Sequence, residues 1–387
     1  MADGDAMSGG LSSLPVAGSE EWKYLDPARF LQSPEAEGSS LDALDPSWVL
    51  AGADSLLVFQ DGVFRDDLSR LGDGVDVRPL SVMTEDEIRQ SRPGRFDPPE
   101  PSLHAAVLAQ AEDGVHVSVS RGVRAGLVQI LEIGSGSGWT RHVVDASAGA
   151  QVDVVRLGVA LPGRTSISRS VTEFRLGQGA SVDHAMLVDG HVRSSAWNGI
   201  VARLERDASF VSRQFLFGSS VSRAECHVEL QGPGARADLA GLCAQAGEEV
   251  ADVLTVVRHA APHTESKQVF QALAGGRSSA SFLGVVQVDR AAQKTSARQS
   301  SRNLLLSREA SVNSRPQLEI WADDVKCSHG STTGRLDDKA LFFLRSRGLS
   351  LESARRLLVR AFASELVEAV AREDFRFLLE SRLEQVL

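Results

Sequence analysis

The sequence predicts a mainly β chain, with a core of repeated strands between a mixed region and a helical tail. Three observations predict it. A turn-plus-strand phrase recurs as Gly149-Ala150-Gln151-Val152, Gly179-Ala180-Ser181-Val182, Asp207-Ala208-Ser209-Phe210, Gly234-Ala235-Arg236-Ala237 and Glu309-Ala310-Ser311-Val312. Its first spacings, about 27 to 30 residues, lie in the range of stacked-repeat architectures. From Val115 onward the apolar residues alternate, as in Val115-His116-Val117-Ser118-Val119, and only after Gly334 does the period become helical. Aromatic residues are scarce at 5% while glycine reaches 34, which suits tight turns and a core of small and branched aliphatic side chains.

Three regions follow in order: residues 1–101, 102–334 and 335–387. The first 40 residues hold Gly9-Gly10, Ser12-Ser13 and Ser39-Ser40, a composition that favours a flexible start, interrupted by Glu21-Trp22-Lys23-Tyr24-Leu25, which is expected to dock. Residues 55–64 read as a hairpin with Asp61-Gly62 at its turn. Thr84 opens an acidic first turn that Pro93 stops from growing long, and Ser102 caps a short helix carrying Leu103, Ala106 and Val107. In the core, each coil turns at a glycine or acidic residue and sends alternate side chains into a shared stack. A β-sandwich with evenly spaced hairpins is the competing arrangement. In the tail, Asp337 or Asp338 opens a helix that ends at Gly348, Ser350 opens a second, and a third runs to Leu387.

Composition excludes several functions. The formal net charge of -10 provides no cationic field for a phosphate backbone, so nucleic acid is not expected as a partner. The 3 scattered cysteines make no disulfide framework and point to a reducing, cytoplasmic setting. Met1 to Ser13 has neither a basic nor an apolar leader region, and no apolar run is long enough to cross a membrane. No phosphate-binding glycine loop, nucleophile elbow or zinc-protease helix occurs, so no catalytic residue and no nucleotide of the chain's own is expected.

The stretch with most chemical content is Pro316 to Gly334. Its core reads as a strand in which Leu318, Ile320 and Ala322 alternate with Gln317, Glu319 and Trp321, and period two puts Cys327 and His329 on one side of any extended segment. A thiolate and an imidazole suit a soft metal, but a closed tetrahedral site needs four ligands. Cys226 and Cys243 lie far off in sequence, without a Cys-x-x-Cys partner. From spacing alone, a buried thiol beside a hydrogen-bonded histidine competes with a metal site. Two histidines four apart, His259 and His263, flank Pro262, which argues for extended chain and a structural corner. His184, His191 and Cys226-His227 read as satisfied strand residues. Ile130 to Gly138 looks like the glycine loop of an S-adenosylmethionine-dependent methyltransferase, but no helix and no acidic strand end follow it, so a solenoid corner explains the glycines.

The string Ala322-Asp323-Asp324-Val325-Lys326-Cys327-Ser328-His329-Gly330 resembles the signature of the SufB/SufD family of iron-sulfur cluster assembly scaffolds, on its SufD side. His259-x-x-Pro262-x-Thr264-x-Ser266, Asn303-Leu304-Leu305-Leu306-Ser307 and Ala340 to Gly348 resemble it too. The Cys-Ser-His-Gly phrase separates the SufD side from SufB. This resemblance implies a right-handed parallel β-helix and a non-catalytic scaffold. The scaffold would pair with SufB through the β-helix and bind the SufC ATPase through its C-terminal helices, with self-association when alone. It implies a transient iron-sulfur cluster at the SufB interface, with His329, then Cys327, as ligands, and a SufC-facing surface of Phe342, Phe343, Arg345, Arg347, Leu357 and Phe362. No flavin is assigned. A methyltransferase and a homo-oligomeric β-helix without a metal role are the alternatives.

Overall fold

A computed structural model describes residues 15–34, 41–84, 87, 103–111 and 113–386. The first strands are β1 (Ala53–Gln60), β2 (Val63–Phe64), β3 (Asp76–Pro79), β4 (Asp113–Val119), β5 (Arg124–Gly134), β6 (Ser137–Ala146), β7 (Gln151–Ala160), β8 (Ser166–Leu176) and β9 (Ser181–Asp189). They continue as β10 (Ser194–Leu204), β11 (Ser209–Phe217), β12 (Val221–Leu230), β13 (Arg236–Gln245) and β14 (Val250–His259). The last are β15 (Glu265–Ala274), β16 (Ser279–Val288), β17 (Ser296–Leu305), β18 (Ser311–Ile320) and β19 (Lys326–Arg335). Helix α1 (Leu103–Gln110) precedes β4; α2 (Asp338–Ser346), α3 (Leu351–Glu368) and α4 (Glu373–Val386) close the chain.

From β4 on, each strand pairs in parallel with the strand two further along, so odd and even strands form two separate sheets. The result is a parallel β-solenoid of about eight turns with C-terminal helices. One recurrent phrase therefore stands for a whole coil of two strands. Its turn residues take left-handed backbone, with φ of 71° at Gly149, 67° at Gly179, 56° at Asp207 and 78° at Gly234, and the alanine after each is buried. The turns also stack: Gly149 N–H donates to Gln178 C=O and Gly179 N–H to Arg206 C=O, each at 2.8 Å.

The solenoid begins earlier than the sequence pattern suggests. The expected hairpin is present, with Asp61 and Gly62 at φ 48° and 88°, but β1 also pairs in parallel with β5, and β3 heads the even sheet antiparallel to β4. A strand with one neighbour from its own hairpin and another from 70 residues on gives no repeat signal of its own. The helix cap expected at Ser102 lies outside the described residues. Thr84 and Glu87 form the reciprocal pair of a capping box, with Thr84 N–H donating to Glu87 at 2.8 Å.

The interior between the sheets is packed by Val128, Val154, Ile130, Phe174 and Phe210, and by Phe270 stacked on Phe282 at 4.9 Å. Both outer faces are covered along part of their length. On the odd sheet, Val359, Leu366, Val367, Phe375 and Leu379 of α3 and α4 pack on Leu157, Phe215, Phe217 and Leu242. On the even sheet, Trp22 and Phe30 of the N-terminal arm join Leu103 and Val107 against Val171 and Trp197. The arm docks as its sequence predicts: Arg223 lies 3.8 Å from the Trp22 ring and donates to Glu21 C=O at 3.0 Å, while Arg169 donates to Phe30 and Gln32 carbonyls.

Candidate functional site at the open end of the solenoid

Pro316 to Gly334 is not one strand. Leu318 and Ile320 belong to β18, Ala322 is buried in a corner, and Cys327 and His329 lie on β19. The Asp323-Asp324 pair makes the corner. Asp324 C=O accepts from Lys294 N–H at 2.7 Å and Asp324 N–H donates to Gln293 Oε1 at 2.9 Å, which ties the corner to the coil before it. Alternation counted straight through these residues hides the turn because both strands carry it.

Within β19 the shared face of Cys327 and His329 is kept. Cys327 stands in register with Ala297, and His329 with Gln299, on β17. Two residue rises separate them, about 7 Å along the strand. Cys327 is half-buried, packed near Val286, Val288, Ala292 and Ala297. Burial pushes its thiol up from the ordinary range, with a backbone hydrogen bond at Ala297 working against the shift. His329 is exposed, because β19 is the terminal strand of its sheet. The even sheet ends likewise at β18, so both sheets present a ten-residue edge on the same coil.

Among the described residues, no group of three or more His, Cys, Asp or Glu is arranged to hold a metal ion. Cys226 and Cys243 are fully buried, their thiols pushed up to about 12 by desolvation, so they are inert packing residues. His259 is held on both ring nitrogens, 2.8 Å from Thr264 Oγ1 and 2.9 Å from Ser266 Oγ, and burial pushes it down to about 4. With His263 at φ 59°, this segment is a structural corner. His191 sits in a turn rather than a strand, its Nε2 2.9 Å from Leu161 C=O.

The Gly134–Gly138 loop is also a corner. It joins β5 directly to β6, with no helix between. Its amides are already occupied: Asp61 accepts from Ser135 N–H at 2.6 Å and Gly136 N–H at 2.8 Å, and a Cβ at Gly138 would press on the Asp61–Gly62 backbone. A carboxylate of the chain's own fills the place a cofactor would need. The inward Glu132 beside this loop is instead bound to Arg156 at 3.1 Å and His142 at 3.1 Å, and also to Thr140. Burial alone would raise its carboxyl, but Arg156 foremost holds it well below the ordinary carboxylate range.

On the C-terminal helices, Phe342, Phe343 and Leu357 are 74%, 54% and 47% exposed, and the Arg347 guanidinium lies 4.4 Å from the Phe343 ring. Arg345 is exposed with them. Phe362 departs from the set: it is half-buried, packed into the interface between α3 and the odd sheet. The caps fall where expected, at Asp337 and Ser350, and Gly348 at φ 95° ends α2. Among the described residues no helix is long and apolar enough to cross a membrane.

Sequence reasoning missed a set of polar residues inside the solenoid, among them Ser212, Gln268 and Gln299, all buried in line with His184, whose ring is bonded at Nδ1 to Ser212. Their signal was available as polar residues recurring at the repeat spacing, in phase with His329.

Residues 131–362 match the family model described as SUF system FeS cluster assembly, SufBD core domain. The iron-sulfur cluster assembly protein SufD of Escherichia coli (strain K12) is 30% identical over 390 residues, covering 97% of this chain and 90% of that protein. An iron-sulfur cluster assembly SufBD family protein of Synechocystis is 33% identical over 52% of this chain and 44% of its own length. The SufD protein of Bacillus subtilis (strain 168) is 30% identical over 43% of this chain and 38% of its own length.

Proposed function

The chain belongs to the SufBD family of SUF-system iron-sulfur cluster assembly proteins, and we propose that within that system it is a non-catalytic SufD-type subunit that forms one wall of a shared assembly site. The observation that carries this reading is the open coil. Among the described residues no strand pairs with the outer side of β18 or β19, so their outward N–H and C=O groups form a template for another chain's strands, and an exposed edge of this length is one that proteins otherwise cover or charge. The candidate ligands, His329 and Cys327, lie on that edge, and the chain's described residues supply no third.

A partner that covers the edge would therefore complete the coordination. SufB, built on the related core, is the partner proposed, with the nascent cluster as cargo assembled between the two chains. The SufC ATPase would bind the exposed Phe342, Phe343, Arg345, Arg347 and Leu357 surface, supplying the nucleotide chemistry for which this sequence carries no phosphate loop. Without SufB, the same open edge suits a second copy of this chain. The reading places the work in the cytoplasm.

We predict that His329→Ala abolishes cluster formation in the complex with SufB and SufC while the isolated variant keeps its circular dichroism spectrum. Iron and sulfide content measured after anaerobic assembly checks this, and a normal yield from the variant removes the ligand assignment. Cys327→Ser is expected to lower the yield less, because the half-buried thiol is less open to a shared cluster than the exposed His329 ring.

A further inference from the structure

We propose that the space between the two sheets carries a file of ordered water, running from Arg156 to the open edge beside His329, along which protons reach side chains otherwise sealed in the solenoid. Register supplies the first argument. His184, Ser212, Leu239, Gln268, Gln299 and His329 form a single column, one residue on each strand of the odd sheet from β9 to β19. Strands about 4.8 Å apart put successive members within reach of one another or of one intervening water. On the facing sheet Cys226, Thr255 and Gly284 form a second column.

The two columns meet inside. Thr255 Oγ1 donates to Gln268 Oε1 at 2.6 Å across the sheets, and Gln299 Nε2 donates to the same oxygen at 3.4 Å. Gln214, beside the Cys226 thiol, donates through Nε2 to Ser212 Oγ at 3.3 Å, and His184 Nδ1 lies 3.1 Å from that hydroxyl. Met186 neighbours Gln214 in register, and Arg156 Nη2 reaches its sulfur at 2.6 Å and also binds Asn198. Leu239 is the apolar gap in the first column, and the route passes it through Cys226 and Thr255.

The track leaves polar atoms over. Arg156 Nε, His184 Nε2, Asn198 Nδ2, Gln214 Oε1, Gln268 Nε2 and Gln299 Oε1 are buried without a partner among the described residues. A buried polar atom left unbonded is costly, so a fold that buries six of them in one file calls for a bonding partner there. Water is the bonding partner that fits. At the Arg156 end of the track, a cavity of about 40 Å³ lined by Glu132, Thr140 and Asn198 has room for water. Gly284 carries the same message, since a Cβ there would overlap Gln299 Nε2: a packing position has been given up to seat an amide.

Along such a file each water passes one proton on as it accepts another, so a proton moves without leaving a net charge behind. Its exit beside His329 is useful to assembly only under the function proposed above, whereas the file itself is a property of the isolated chain. The test is made on that isolated chain. With ¹⁵N-labelled histidine, exchange of the His184 ring proton with solvent is expected to slow tenfold or more in Gln268→Leu and in Gln299→Leu, relative to the native chain. Unchanged exchange in folded variants overturns the proposal. Should neither variant fold, a high-resolution crystal structure of the native chain decides: water bonded to the Gln268 and Gln299 amides supports the file, and dry amides overturn it. Cluster yield enters neither measurement, so failure here and failure of the ligand assignment are separable.

Discussion

His329 and Cys327 are two residues apart on one strand, yet their surroundings give them different chemistry. The imidazole is exposed at the edge of the sheet, while the thiol is half-buried against apolar side chains. The proposed order of ligands, His329 before Cys327, rests on that contrast rather than on softness alone. Other histidines are locked in the opposite way. Desolvation pushes His104 and His184 down to about 3 and His259 to about 4, so all three are neutral in the fold. The unfolded chain binds a proton on each below about pH 6.5, the fold does not, and stability therefore falls as the pH drops from 6.5 towards 4. Each contributes a loss of about 2 kcal/mol between pH 6.5 and 5. Urea melts across that range should show the midpoint falling steeply; a flat midpoint would mean that these rings are protonated in place. The sequence showed the histidines but not their burial, because a polar residue at an inward position reads in the pattern as a break in alternation.

At the level of elements, the strands and helices were legible where their signals are local. The Asp61-Gly62 hairpin, the Asp337 and Ser350 caps and the Gly348 stop each depend on side chains within a few positions. The corner between β18 and β19 was not, because its bonds go to Gln293 and Lys294 on the previous coil. Packing inside a coil is equally non-local. Gly284→Ala is expected to destabilise the chain by about 1–3 kcal/mol, since the added methyl displaces the Gln299 amide; a thermal melt with no loss would show that the amide has room to move. The helices need a careful test. Removing residues 336–387 would strip α3 and α4 from the odd sheet and bare Phe215, Phe217 and Leu242, so lost binding would say little. Phe342→Asp with Phe343→Asp changes only exposed side chains. We predict that this pair abolishes SufC capture in a pull-down while leaving the melting temperature within a few degrees; capture that persists would move the SufC surface elsewhere.

The whole molecule is a stack with dissimilar ends. Its first coil is closed by the β1–β2 hairpin and by β3, while its last coil ends in two bare strands. The repeat spacing made the stack legible, and the motif around Cys327 placed the candidate site on it. Neither showed that the site coincides with the open end, since openness belongs to the assembled sheets and to no single residue. That coincidence supports the proposal that this chain is half of a shared site. The most direct measurement is the iron and acid-labile sulfide content after anaerobic reconstitution of the chain alone, of the chain with SufB and SufC, and of that complex carrying His329→Ala. The account predicts cluster only in the unmodified complex. A stoichiometric cluster on the chain alone, or an undiminished one in the His329→Ala complex, would contradict it.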